Sequence, residues 1–200
     1  MCVEAVVNDV HVIIHYTKES LKAEIQPRGI VLKPSNYSHE RVRNWIKERE
    51  HGRANGIFYL AQGIFNEMGE EEGTKLVIEQ IRKMGYKIGE SMKNKLETKG
   101  LKNSLENRIK LIESSSNSTN IAWDREYLDA KGNELVVKFS YCPIADGFKM
   151  NGEEGVKIGE LFCSNIDDSV SKGYNPNLSC VRETSLNKDG VCTLHFTMRK

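Results

Sequence analysis

Apolar residues recur every three or four positions through the first half of the chain and every second position through the last third. Over residues 38–69, Val42, Trp45, Ile46, Ile57, Leu60, Ile64, Phe65 and Met68 fall on one side of a helix. Gly52 and Gly56 lie in the middle of that run and predict a kink or break, and Gly69 predicts a stop. A second helical run follows, with Glu70, Glu71 and Glu72 at its start and lysines towards its end, the order the helix dipole favours. Val77, Ile81, Met84, Ile88 and Met92 form its stripe and Gly100 ends it; Leu105, Ile109 and Ile112 mark a shorter helix over 104–113. The run SSSNSTN is then the clearest internal boundary.

Beyond that boundary the period falls to two. Ile121, Trp123 and Tyr127 sit on one strand, and Leu135, Val137, Phe139 and Tyr141 alternate on a second, joined through AKGN. Two short helical pieces are expected around 153–163 and 166–171. A closing hairpin runs through NLSCVRETSL, the turn NKDG and VCTLHFTMR. On its last strand Cys192, Leu194, Phe196 and Met198 face one way, while Thr193, His195 and Thr197 face the other. The expected architecture is α+β, a helical N-terminal half packed on a small antiparallel sheet formed mainly by the C-terminal half. One domain is expected over 1–200: an irregular N-terminal segment (1–37, with VHVIIHY as a short strand), a helical part (38–113) and a sheet-containing, cysteine-rich part (119–200).

Composition narrows the function classes. Of 200 residues, 38% are hydrophobic and 28% charged, with a net charge of +1, so neither nucleic acid nor an anionic membrane is an expected partner. The opening MCVEAVVNDVHVIIHY has no basic start or unbroken apolar centre, and no stretch reaches the roughly 18 apolar residues of a membrane span. A cytoplasmic location follows as an expectation, and with it five thiols rather than disulfides. A homo-oligomer through the amphipathic helices stays open.

Four of the five cysteines lie after residue 141, near polar or acidic groups. Cys142 ends a strand before Pro143, which stops pairing and can put the thiol at a pocket rim. As a nucleophile it needs a cation, a base or backbone N–H groups; otherwise it is a small buried apolar residue. Cys163 and Asp167 are four apart and share a helical face, with Asp168 beside them, a thiol and carboxylate set suited to proton transfer or to zinc. The aspartates serve equally well as helix caps. Zinc is the one cofactor considered, through Cys142, Cys163 and Cys192, although their long spacings signal it weakly. Cys192 also fits core packing. Arg182 and Arg125 are candidate forks for a small carboxylate substrate, or surface ion pairs with Glu183 and Glu126.

The order CP, LFCSNIDDSVSKGYNPNL and DGVCTLHF resembles the L-2-amino-thiazoline-4-carboxylic acid hydrolase family over roughly 40–198, most specifically over 141–197. The matching positions are Cys142 with Pro143, Cys163, Asp167, Asp168, Asn175 with Pro176, and Gly190 with Cys192; Cys180 and His195 have no counterpart. The resemblance implies a hydrolase that opens a cyclic amidine of the thiazoline type at a C–N bond, giving N-carbamoyl-L-cysteine. Cys142 or Cys163 would then be the nucleophile, Asp167 or Asp168 would hold the amidinium, and Arg182 and Asn175 would contact substrate. The same tail also resembles vinyl-reductase-type ligand-binding domains, which makes a binding module without catalysis the alternative.

Overall fold

The computed structural model describes residues 2–7, 10–17, 20–25, 38–115 and 121–199. Two compact units, Met1–Ser38 and His39–Lys200, divide the chain. In the first, β1 (Cys2–Val7), β2 (Val10–Thr17) and β3 (Ser20–Ile25) form an antiparallel sheet in chain order. The sequence pattern marks only β2 there. Pairings Val7↔Val10 and Thr17↔Ser20 leave two-residue connections, so strand identity in β1 and β3 comes from hairpin pairing more than from alternation.

The second unit is α+β. Helices α1 (His39–Met68), α2 (Glu70–Glu97) and α3 (Leu105–Ser115) precede a hairpin of β4 (Asp124–Lys131) and β5 (Glu134–Tyr141). Helices α4 (Pro143–Lys149) and α5 (Gly152–Tyr174) follow, then β6 (Leu178–Thr184), the short α6 (Leu186–Asp189) and β7 (Cys192–Met198). The sheet is antiparallel in the order β4-β5-β7-β6. One core lies among α1, α2, α4 and α5 around Ala54, Phe58, Ile81, Phe148, Ile158 and Phe162. The other lies under the sheet around Leu135, Val137, Tyr174, Leu178, Leu194 and Phe196.

Three expectations are corrected. α1 runs unbroken through Gly52 and Gly56. Each glycine costs a helix about 1 kcal/mol, but both stand in open space while Ile46, Ala54, Phe58 and Ala61 bury the opposite side. That buried stripe excludes Trp45, Leu60 and Met68, which remain exposed. On α2, likewise, Ile88 is exposed and Gly85 and Gly89 occupy the buried positions. Finally, the two expected helical pieces are one helix, α5, and α4 precedes it. The polar residues that look like a break instead bond back to carbonyls four residues earlier: Asn165 Nδ2 to Leu161 O at 2.8 Å, Ser169 Oγ to Asn165 O at 2.7 Å and Ser171 Oγ to Asp167 O at 2.7 Å.

Candidate functional site

The junction of α1, α4, α5 and the β6–β7 end of the sheet holds a partly open cavity of about 260 Å³. Pro143 opens α4, and the extended backbone of Cys142 caps it, so the last residue before the helix turns to the cavity. α5 presents Glu160, Cys163 and Asp167 on one face, at spacings of three and four. Arg182 comes from β6, Ser185 and Asn187 from the α6 turn, Cys192 from β7, and Glu50 and Arg53 from α1. Trp123, Phe139, Phe162, Ile166 and Leu194 supply an apolar lining.

Cys142, Cys163, Asp167, Arg182 and Cys192 therefore meet at one cavity. Asp168 and Asn175 do not line it. Asp168 Oδ1 accepts the Cys180 backbone N–H at 2.9 Å, tying α5 to β6. Asn175 ends α5, donating Nδ2 to Asn103 O at 2.8 Å and accepting from the Asn177 N–H at 2.9 Å. Cys180 is buried in the second core. Among the described residues no three His, Cys, Asp or Glu side chains are grouped to hold a metal ion.

Electrostatics separate the thiols. Burial pushes Cys142 up, but the N–H groups of Ala145 and Ile144 and the Trp123 indole pull it down. Cys163 stands well above its ordinary value, because burial is compounded by the neighbouring Cys142 and Asp167 and only Arg182 opposes. Burial, with Asp167, raises Cys192 to about 12. Cys142 is thus the only cavity thiol whose upward shift is opposed by hydrogen-bond donors.

Glu160, Glu50, Arg53, Trp123 and Ser185 escape the sequence reading. Burial pushes Glu160 up, yet donors from Ser185, Arg182 and Asn187 outweigh it and hold the carboxylate down. The bonds are Ser185 Oγ at 2.5 Å, Arg182 Nη2 at 2.6 Å and Asn187 Nδ2 at 2.9 Å. Arg182 also donates to Ser164 Oγ at 2.7 Å, so both Nη2 contacts are internal and tie β6 to α5, while Ser185 and Asn187 tie the α6 turn to Glu160. Spacing could have found Glu160, three before Cys163 and seven before Asp167 on the same face. Glu50 is buried and accepts from Arg49 Nη2 at 2.8 Å.

Burial raises Asp167 from 3.8 to about 6, against the pull of Arg108 and Arg182. Its carboxyl makes no hydrogen bond or ion pair among the described residues. Because the folded value exceeds the unfolded one, the folded state holds the extra proton between about pH 4 and 6, and stability falls as pH rises through that window. The shift corresponds to a cost on the order of 3 kcal/mol at neutral pH. Urea unfolding at pH 4 and pH 8 should show Asp167→Asn gaining on the parent at the higher pH. A difference independent of pH would contradict this environment for Asp167.

The domain is α+β, with thiols, a buried carboxyl and an apolar lining around one cavity. A family model described as L-2-amino-thiazoline-4-carboxylic acid hydrolase matches residues 49–196, and the chain belongs to that family. No curated protein matches the chain. Among solved structures it is similar to trafficking protein particle complex subunit 3 from Naegleria fowleri covalently bound to palmitic acid. The TM-score is 0.53 at 17% identity, covering 77% of this chain and 97% of that one, a likeness of fold. No described helix is long and apolar enough to cross a membrane.

Proposed function

We propose that the chain hydrolyses a cyclic amidine of the thiazoline type to an N-carbamoyl-L-cysteine-like product, with Cys142 as nucleophile and Asp167 as the proton-transferring carboxylate. The observation that supports this most is the convergence of Cys142, Cys163 and Asp167 on one cavity. A buried carboxyl without a hydrogen-bonded partner is costly even with Arg108 and Arg182 nearby, and a bound amidinium would supply that direct partner. At about 6, Asp167 sits where a group can both take and give a proton near neutral pH.

Asp167 takes the Cys142 proton as Sγ bonds to the carbon between nitrogen and sulfur. The ring carbon–sulfur bond then breaks, and the proton passes to the departing sulfur. The carbon is left on Cys142 with both nitrogens attached. Water adds to it, giving one proton to Asp167. The Sγ–carbon bond breaks as the hydroxyl proton passes to Sγ, which restores the thiol and leaves a carbonyl between two nitrogens, and Asp167 returns its proton to solvent. Because this product keeps both nitrogens on that carbon, the ring bond that gives way is C–S, which revises the C–N cleavage expected from sequence. Ala145 and Ile144 N–H and the Trp123 indole support the thiolate as it forms.

Purified protein incubated with the thiazoline should release the carbamoyl product, and Cys163→Ala should retain turnover within about tenfold, since that thiol supports no step. Loss of turnover in Cys163→Ala with full activity in Cys142→Ala would reverse the assignment.

A second reading has one observation in its favour. The cavity lining is largely apolar, and burial keeps its thiols protonated at rest. An apolar ligand bound without turnover, or an acyl group carried on one of these thiols, fits that lining; the similar trafficking subunit is covalently bound to palmitic acid. Intact mass of the protein as isolated separates the readings: an acyl increment supports the second.

A further inference from the structure

Behind Asp167 lies a second cavity of about 120 Å³, lined by Arg108 from α3 and Arg125 from β4. It shares Phe139, Asp167 and Leu194 with the first cavity, so one carboxyl faces both spaces. Arg108 is 5% exposed and donates Nη1 to Ser171 Oγ at 2.8 Å. Its Nε is buried and has no hydrogen-bond partner among the described residues, and the same holds for Arg125 Nη2. Arg108 and Arg125, which both line this small space, thus each leave one buried N–H without an acceptor. The one carboxyl there, Asp167, forms no ion pair with either.

A buried guanidinium is stable only when its charge and donors are matched. Arg108 stacks 4.5 Å over Phe196, which offers the cation a ring face but satisfies no N–H. Two forks with two unused donors fit a carboxylate, whose paired oxygens accept from planar N–H groups. We propose that this second cavity is a binding site for a small carboxylate, held between Arg108 Nε and Arg125 Nη2. The carboxylate comes either from a free anion or from the substrate itself, reaching past Asp167 while its amidine stays beside Cys142. The second source rests on the hydrolase reading; the site does not. Arg182, tied to Glu160 and Ser164, has fewer donors to offer a substrate carboxylate.

The test uses the full chain and sodium formate, with gluconate, too large for the cavity, holding ionic strength constant. Formate should raise the melting temperature saturably by several degrees in the parent and not in Arg125→Met. Should Arg125→Met fail to fold, Arg125→Lys should weaken formate binding several-fold, since a point charge cannot make the fork. No formate-specific rise in the parent, or an equal rise in the variant, would overturn the site and leave a cavity that holds water. Formate that competes with the thiazoline carboxylate but not with 2-aminothiazoline identifies the substrate's own carboxylate as the occupant. Formate that binds without competing identifies a free anion. A formate response in protein that turns over no thiazoline would sink the hydrolase reading and leave this site standing.

Discussion

Cys142→Ala should abolish turnover of the cyclic amidine, by roughly 10³-fold or more, while the protein stays folded. The two effects separate because the side chain is small and half-buried at the cavity wall, so its loss removes one sulfur from the packing. Catalysis loses more, since no other cavity thiol has donors that oppose its burial. Cys163 is one helical turn from Asp167, but its proton is held more tightly by burial and two acidic neighbours. Steady-state assay of Cys142→Ala and Cys163→Ala, with near-ultraviolet circular dichroism to confirm the fold, checks the contrast. Equal losses in both variants would point to packing rather than nucleophilic chemistry.

Gly89→Ala should be the most damaging single methyl in the helical core. A Cβ at Gly89 would stand 2.5 Å from the Tyr174 amide nitrogen and 2.8 Å from the Gly173 carbonyl carbon, and against the Val170 carbonyl oxygen. Those are backbone atoms of α5, so no side chain can swing away. α2 and α5 would have to separate, and α5 carries Glu160, Cys163 and Asp167. Overpacking of this kind costs about 3 kcal/mol, which lowers the melting temperature by about 6–12 °C in a domain of this size. Gly52→Ala, in open space on α1, should instead stabilise by about 1 kcal/mol. Thermal unfolding of the two variants tests the pair; similar small shifts in both would contradict the close approach of α2 and α5.

That pair of glycines also shows why the helices were only partly legible. Periodicity located α1, α2 and α3 and the two closing hairpin strands, because burying an apolar face is what drives those elements together. It could not tell Gly52, which faces solvent, from Gly89, which lets a neighbouring backbone in. The two pieces expected at 153–163 and 166–171 join into one helix, with Asn165 and Ser169 bonding back along it. At the site, Cys142, Cys163 and Asp167 were visible as chemistry-bearing residue types at strand ends and on one helical face. Asp168 looked equivalent to Asp167 by sequence, yet one helical step turns it to the Cys180 N–H. Arg108 sat unnoticed between Leu105 and Leu111, a cation on an apolar stripe, which is itself the signal for a buried charge.

The direct test of Cys142 as nucleophile is mass analysis of protein quenched in acid during turnover of the thiazoline. The expected result is a mass increase equal to one substrate, mapped to the peptide that holds Cys142. Turnover that proceeds with no adduct at Cys142, or with the adduct on Cys163, would contradict it.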